Sequence, residues 1–345
     1  MKRLRLQLVL SLLVAVLMSF PAQAAQLLGA GATFPYPFYS KLFSEYAKQK
    51  KVQVNYQSIG SGGGIRQILN KTVDFGATDG FMSDAELKKA PGELLHIPTC
   101  MGAVAVVFNL PGVKTLKLTP EIVSGLFMGT IKKWNDPKIK AVNPGVAIPA
   151  LPVVVIHRSD GSGTTFVFTD YLCKVSPAWL KKVGQGTSVK WPLGLGAKGN
   201  EGVAGMLKLT PGSVGYSELA YVLQNKLTYA AIRNKSGAYV APTLDAISAS
   251  ATIPIPSHTR VSITDTAAKT GYPISSFTWL IVYKEQNYNN RKLQTAETLS
   301  GLLKWIIRDG QRYAKPLDYA PLPKNVQKQA ETLASSLTYF GRPVR

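Results

Sequence analysis

The stretch Val153-Val154-Val155-Ile156-His157-Arg158-Ser159-Asp160-Gly161-Ser162-Gly163-Thr164-Thr165-Phe166 decides how this chain folds. Its first four residues are an uninterrupted apolar run, the composition of a buried strand. After it Phe168, Tyr171, Leu172 and Val175 recur at i, i+3, i+4 and i+7, the spacing of one helical face. A strand that passes through a Gly/Ser/Thr loop straight into a helix leaves the first backbone N–H groups of that helix without intrahelical acceptors, at the positive end of the helix dipole. Such a helix entrance suits an anion. Arg158, Asp160 and the hydroxyls of Ser162, Thr164 and Thr165 stand beside it.

The same arrangement occurs twice more. Val52, Val54 and Tyr56 alternate as in a strand, Ile59-Gly60-Ser61-Gly62-Gly63-Gly64 follows, and Ile65, Ile68 and Leu69 then share a helical face. Gly29-Ala30-Gly31-Ala32-Thr33-Phe34-Pro35 precedes an apolar stripe of Phe38, Tyr39, Leu42, Phe43 and Tyr46, and Pro35 suits a first helical turn. One such loop is ordinary helix capping. Three, each with a hydroxyl at the helix entrance, favour convergence on one small oxyanion. Strand–helix alternation predicts α/β layers with the ligand at the carboxyl ends of the strands.

Met1 to Ala24 carries Lys2, Arg3 and Arg5, an apolar core from Leu6 to Phe20, and Ala22-Gln23-Ala24, the layout of a secretory signal peptide cleaved after Ala24. Gln7, Ser11 and Ser19 interrupt that core, which argues against a membrane anchor, and no Cys follows it to carry a lipid. A soluble, exported mature protein that does not span the membrane is the expectation. With 345 residues the chain can form two cores. The leader's three basic residues account for three of the net +21, leaving +18. The lysines are spread in pairs (Lys88-Lys89, Lys132-Lys133, Lys181-Lys182) with no dense Arg run or aromatic-interleaved motif, so no nucleic-acid partner is expected. Cys100 and Cys173 sit in apolar settings and read as two buried free thiols. The three histidines, His96, His157 and His258, have no metal-ligand spacing, and neither metal nor cofactor is expected.

Motifs of catalysis are missing. Gly29-Ala30-Gly31 lacks the third glycine of a dinucleotide fingerprint, there is no G-x-x-x-x-G-K-[ST] loop, and Asp160 stands where a G-x-S-x-G elbow around Ser162 needs glycine. His157 reads as a strand-end residue without an orienting partner. The pattern is one for holding rather than cutting. Asn143 to Pro152 and Lys181 to Asn200 read as surface loops, the five tryptophans as packing residues, and Thr243 to Asp265 gives no pattern.

At these loops the chain resembles the PstS family, the periplasmic phosphate-binding proteins of bacterial phosphate ABC transporters, over nearly all of its mature length. The likeness rests on the three loops and on Val73-Asp74-Phe75-Gly76-Ala77-Thr78-Asp79, Ile131-Lys132-Lys133-Trp134-Asn135-Asp136 and Val189-Lys190-Trp191-Pro192-Leu193-Gly194-Leu195-Gly196. Pro211-Gly212-Ser213-Val214-Gly215-Tyr216 and Leu317-Asp318-Tyr319-Ala320 extend it. The resemblance implies a non-enzymatic binding protein that delivers inorganic phosphate to an inner-membrane ABC permease and its ATPase. It implies phosphate contacts from Thr33, the Phe34 N–H, Ser61, Asp79, Arg158, Ser162, the Gly163 N–H and Thr164, with Asp160 orienting Arg158. Gly62 stands where many members have Ser, and Gly80 where alanine is common.

The implied fold is a two-lobed periplasmic binding protein of the type II kind. Residues 25–98 would begin the first lobe, 99–102 cross, 103–269 form the second lobe, and 270–345 return and complete the first. Asp79 is chemically the odd member. A carboxylate repels an anion unless the ligand brings a proton, which phosphate does and sulfate does not. Asp79 could instead cap a helix near Ser83-Asp84, and Arg158 could serve only to pair with Asp160. A secreted phosphatase or a sulfate binder on a similar scaffold are the competing functions.

Overall fold

The computed structural model describes residues 25–345, so the expected signal peptide, Met1 to Ala24, lies outside the described residues. The strands are β1 (Ala25–Gly31), β2 (Val52–Ser58), β3 (Phe75–Thr78), β4 (Leu94–Phe108), β5 (Lys117–Leu118), β6 (Val154–Arg158) and β7 (Leu195–Ala197). They continue with β8 (Ser213–Glu218), β9 (Thr228–Tyr229), β10 (Ala231–Arg233), β11 (Tyr239–Val240), β12 (Ser275–Tyr283), β13 (Thr338–Tyr339) and β14 (Arg342–Pro343).

The main sheet runs β2-β1-β3-β12-β4-β8-β6-β7, with β9 paired to β4. β1 is parallel to β2 and β3, and β6 is parallel to β7 and β8. β4 joins the two parallel sets. Its Leu94–Ala103 portion lies antiparallel to β12, and its Val104–Phe108 portion antiparallel to β8. All fifteen of its residues are buried, as its near-continuous apolar sequence requires for a strand covered on both faces. Beside it the chain returns, with the Val104 N–H donating to the Ile274 carbonyl at 2.8 Å. Two lobes result, one built on β1, β2, β3 and β12, the other on β6, β7 and β8.

β1, β2 and β6 each feed a helix in the way the sequence predicts. Pro35 caps the Tyr36–Lys50 helix, whose Phe38, Tyr39, Leu42, Phe43 and Tyr46 are buried. Pro35 thus stands just before the first turn rather than within it, and Pro37 takes the early position where a missing N–H costs nothing. The Ser61–Leu69 helix lies so close to β1 that a Cβ on Gly64 would come 2.5 Å from Gly31 Cα. That contact accounts for the glycine at position 64. Ser162 caps the Gly163–Val175 helix by accepting the Thr165 N–H at 3.0 Å.

Thr243 to Asp265, unreadable in sequence, contains a short helix, Leu244–Ser250, and then an extended strap. Its first part holds the first lobe: Thr259 donates to the His96 carbonyl at 2.6 Å and Arg260 to the Met82 carbonyl at 3.1 Å. Ser262 and Thr264 hold the second, through Asp170 and Lys174 on the Gly163–Val175 helix. Trp134, Trp179, Trp279 and Trp305 are buried. Trp191 is half-buried, stacked on His157 with ring centroids 4.8 Å apart. Both cysteines are free, but Cys173 is only half-buried because its helix face looks partly outward, against the expectation of two buried thiols.

Candidate functional site

The loops after β1, β2, β3 and β6 meet at one buried point between the lobes. Thr33, Ser61, Asp79, Arg158, Ser162 and Thr164 are each at most 3 % exposed. The approach is close enough for backbone contact, with the Gly62 N–H donating to the Gly161 carbonyl at 2.9 Å. A Cβ on Gly163 would collide with Ser61 Oγ and lie 2.5 Å from Asp79 Oδ2 and 2.7 Å from the Asp79 nitrogen, so this position admits no side chain. Gly80 is explained in the same way. A Cβ there would lie 2.5 Å from Phe166 Cγ, so the bulky Phe166 of the second lobe takes the room that an alanine at 80 would need.

The hydroxyl groups share one property. Thr33 Oγ1 accepts from Asn200 Nδ2 at 2.8 Å and from the Asn200 N–H at 3.3 Å. Ser61 Oγ accepts from the Asp79 N–H at 3.3 Å, and Ser162 Oγ from the Thr165 N–H. Thr164 Oγ1 accepts from Asn200 Nδ2 at 3.1 Å and from Arg158 Nη1 at 3.3 Å. Among the described residues Thr33, Ser162 and Thr164 donate to no protein atom, so each keeps its proton for something else, while the Ser61 hydroxyl also bonds to the Asp79 carboxylate. Thr165 differs: its hydroxyl is engaged with Tyr216 at 2.6 Å and is turned away from the meeting point.

Arg158 and Asp160 form a two-point ion pair, Nε to Oδ1 at 2.7 Å and Nη2 to Oδ2 at 2.5 Å. Burial opposes charge on Asp160, yet the Arg158 contacts and the Gly199 N–H hold its carboxyl below the usual range. The Nε and Nη2 edge of the guanidinium is thereby occupied. Of the five N–H donors, two go to Asp160 and one to Thr164, leaving one on each Nη at the end of the group.

Asp79 caps no helix. Ser83 caps Asp84–Leu87, with its capping box closed by Glu86. Asp79 Oδ1 accepts from the Thr278 hydroxyl at 2.8 Å, and the Ser61 hydroxyl also bonds to the carboxylate. Burial pushes its carboxyl from the ordinary 3.8 up to about 7, against the pull of Thr278, Arg158 and Ser61. The folded protein therefore holds that proton more tightly than the unfolded chain. The contribution of Asp79 to stability without ligand is greatest at low pH and falls as pH rises from about 4 to about 7. Asp79→Asn should accordingly melt higher than wild type at pH 8 in ligand-free calorimetry, the difference shrinking as pH is lowered towards 4. A pH-independent difference would show that burial does not tune this group.

Several supports were not legible in the sequence. Asn200, assigned to a surface loop, is fully buried at the carboxyl end of β7, because this short strand extends the sheet and brings the Gly199–Leu209 helix entrance to the site. Tyr221 and Tyr319 donate to the Thr33 and Phe34 carbonyls at 2.7 and 2.6 Å, fixing the first loop. The Gly-rich Gly196-Ala197-Lys198-Gly199-Asn200-Glu201-Gly202 carried the one available signal, a fourth small-residue loop before a helix. His157 is engaged with the Arg158 carbonyl at 3.0 Å and its ring is stacked on Trp191. No cluster of His, Cys, Asp and Glu among the described residues could hold a metal ion, and no helix among them is long and apolar enough to cross a membrane.

A ring of donors enclosed where two α/β lobes meet is the architecture of a solute-binding protein, and the family model of the PBP superfamily domain matches residues 20–309. The phosphate-binding protein PstS of Pasteurella multocida is 43 % identical over 324 residues, covering 92 % of both chains. PstS of Methanocaldococcus jannaschii is 37 % identical, covering 86 % of this chain and 82 % of its own. In structure, a high-affinity periplasmic phosphate-binding protein (PfluDING) bound with phosphate superposes with a TM-score of 0.73 at 21 % identity, covering 89 % of this chain and 93 % of that one. A phosphate-binding protein from Stenotrophomonas maltophilia gives 0.67 at 18 %, covering 90 % and 94 %. The chain belongs to the PstS family of phosphate-binding proteins.

Proposed function

We propose that this protein captures inorganic phosphate between its lobes by hydrogen bonds alone and delivers it to an ABC permease and its ATPase for import. The observation that carries the reading is the set of four buried hydroxyls at one point, of which Thr33, Ser162 and Thr164 accept but do not donate within the protein. They surround a point that also offers Arg158 N–H groups and the carboxylate of Asp79. Thr33, Ser61, Ser162, Thr164 and Arg158 donate to phosphate oxygens, as do the N–H groups of Phe34 and Gly163, while Asp79 receives the ligand's proton. Asp160 neutralises Arg158, so the ligand's charge is met mainly by dipoles fixed in advance.

The protein acts in the periplasm, reached through the cleaved leader Met1–Ala24. Its first lobe comprises 25–98 and 270–345, its second 103–269. Capture without catalysis is supported by the relatives, which are named phosphate-binding proteins. Calorimetric titration of refolded, ligand-stripped protein with phosphate, arsenate and sulfate tests the assignment. Phosphate and arsenate should bind and sulfate should not. Equal binding of sulfate, or none of phosphate, would overturn it. Small-angle scattering should report a smaller radius of gyration with phosphate, because the Gly62–Gly161 contact joins the lobes in the closed form. Identical curves would argue for a rigid site.

A further inference from the structure

We propose that Asn200 is a positioning residue that aims the hydroxyl protons of Thr33 and Thr164 at the bound anion; this rests on the phosphate reading above. Asn200 is fully buried in the first turn of the Gly199–Leu209 helix. Its amide orientation is fixed from behind. Oδ1 accepts the Glu218 N–H at 3.0 Å and the Ser217 hydroxyl at 3.3 Å, contacts that only an oxygen can make to a backbone N–H. The NH₂ group must then face forward, where it reaches Thr33 Oγ1 at 2.8 Å and Thr164 Oγ1 at 3.1 Å.

A hydroxyl has one proton and two lone pairs. At Thr33 both lone pairs are engaged, by the Asn200 side chain and the Asn200 N–H. At Thr164 both are engaged, by Asn200 and by Arg158 Nη1. Each hydroxyl is left with donation as its sole remaining capacity, and among the described residues neither finds a protein acceptor. One amide thus turns two rotatable groups into fixed donors, one from each lobe. Fixed donors do not have to be reoriented when the anion arrives, which is the source of their strength in a water-excluded site. Because Asn200 packs on the second lobe and Thr33 sits in the first, Thr33 is aimed only as the lobes come together.

The test is a double-mutant cycle on phosphate affinity, read by calorimetry. Asn200→Asp keeps the shape but presents acceptors to both threonines, whose protons should turn back to it. Thr33→Val in the wild-type background should weaken phosphate binding on the order of 10-fold or more, as loss of a hydrogen bond to a charged group does. In the Asn200→Asp background the same substitution should cost less than about 3-fold, because the donor has already been lost. Repulsion by the new charge, or a purely structural role, would leave the Thr33→Val cost the same in both backgrounds, and that additive result overturns the proposal. Asn200→Ala run through the same cycle carries the test if Asn200→Asp does not fold. Wild-type protein that fails to bind phosphate would overturn this inference and the functional reading together; wild type that binds, with an additive cycle, overturns only the role of Asn200.

Discussion

Replacing Arg158 by alanine should weaken phosphate binding by about 2–5 kcal/mol, the cost of truncating one partner of a buried, hydrogen-bonded charge pair. Two effects add. The end-on N–H groups are lost from the site, and Asp160, which Arg158 neutralises through both carboxylate oxygens, becomes an uncompensated negative charge near the anion. The second effect can be separated from the first. Arg158→Ala combined with Asp160→Ala should recover part of the loss, because it removes the unpaired carboxylate without restoring the donors. Titration of the three variants at fixed ionic strength decides the matter. A change of less than about tenfold on Arg158→Ala would show that the guanidinium serves only to hold Asp160.

Asp79→Asn should raise the sulfate-to-phosphate affinity ratio on the order of 10²-fold or more, since a site built around one ligand hydrogen rejects analogues that lack it by at least that factor. Against sulfate the Asp79 carboxylate would face an oxygen with no proton to give. An asparagine keeps the oxygen that accepts from Thr278, adds an N–H₂ donor and carries no charge. Phosphate affinity should change little, because removing a like charge offsets the weaker acceptor. Parallel titrations with both anions at neutral pH test this. An unchanged ratio would mean that discrimination lies elsewhere in the loops.

The parts of the site that were legible in the sequence are those whose chemistry is local. A strand run, a loop of Gly, Ser and Thr, and a helical stripe lie within some twenty consecutive residues, so the loops at Thr33, Ser61 and Ser162 can be read directly, together with the α/β alternation. The Asp160–Arg158 pair is two residues apart and equally local. What escaped is what the fold brings from afar. Asn200 meets Thr33 across 167 residues, Thr278 meets Asp79 across 199, and Tyr319 meets the Phe34 carbonyl across 285. No periodicity encodes such pairings. The strap after Ser250 was unreadable for a related reason: it is held by side chains of other segments and has no ladder or helix of its own to impose a pattern. Which edge of the Arg158 guanidinium is free depends likewise on how Asp160 lies.

The fifteen-residue strand β4 has a further consequence, for how the molecule comes apart. One unbroken length of buried backbone belongs to the hydrogen-bonded ladders and apolar cores of both lobes. Neither lobe can melt without stripping partners from the strand the other depends on. Heating should therefore give one cooperative transition rather than two, even though the chain is long enough for two independent units. The lobe closure proposed on phosphate binding would have to leave these ladders in register, and so would twist the strand rather than slide it. Binding and unfolding thus draw on different properties of the same strand.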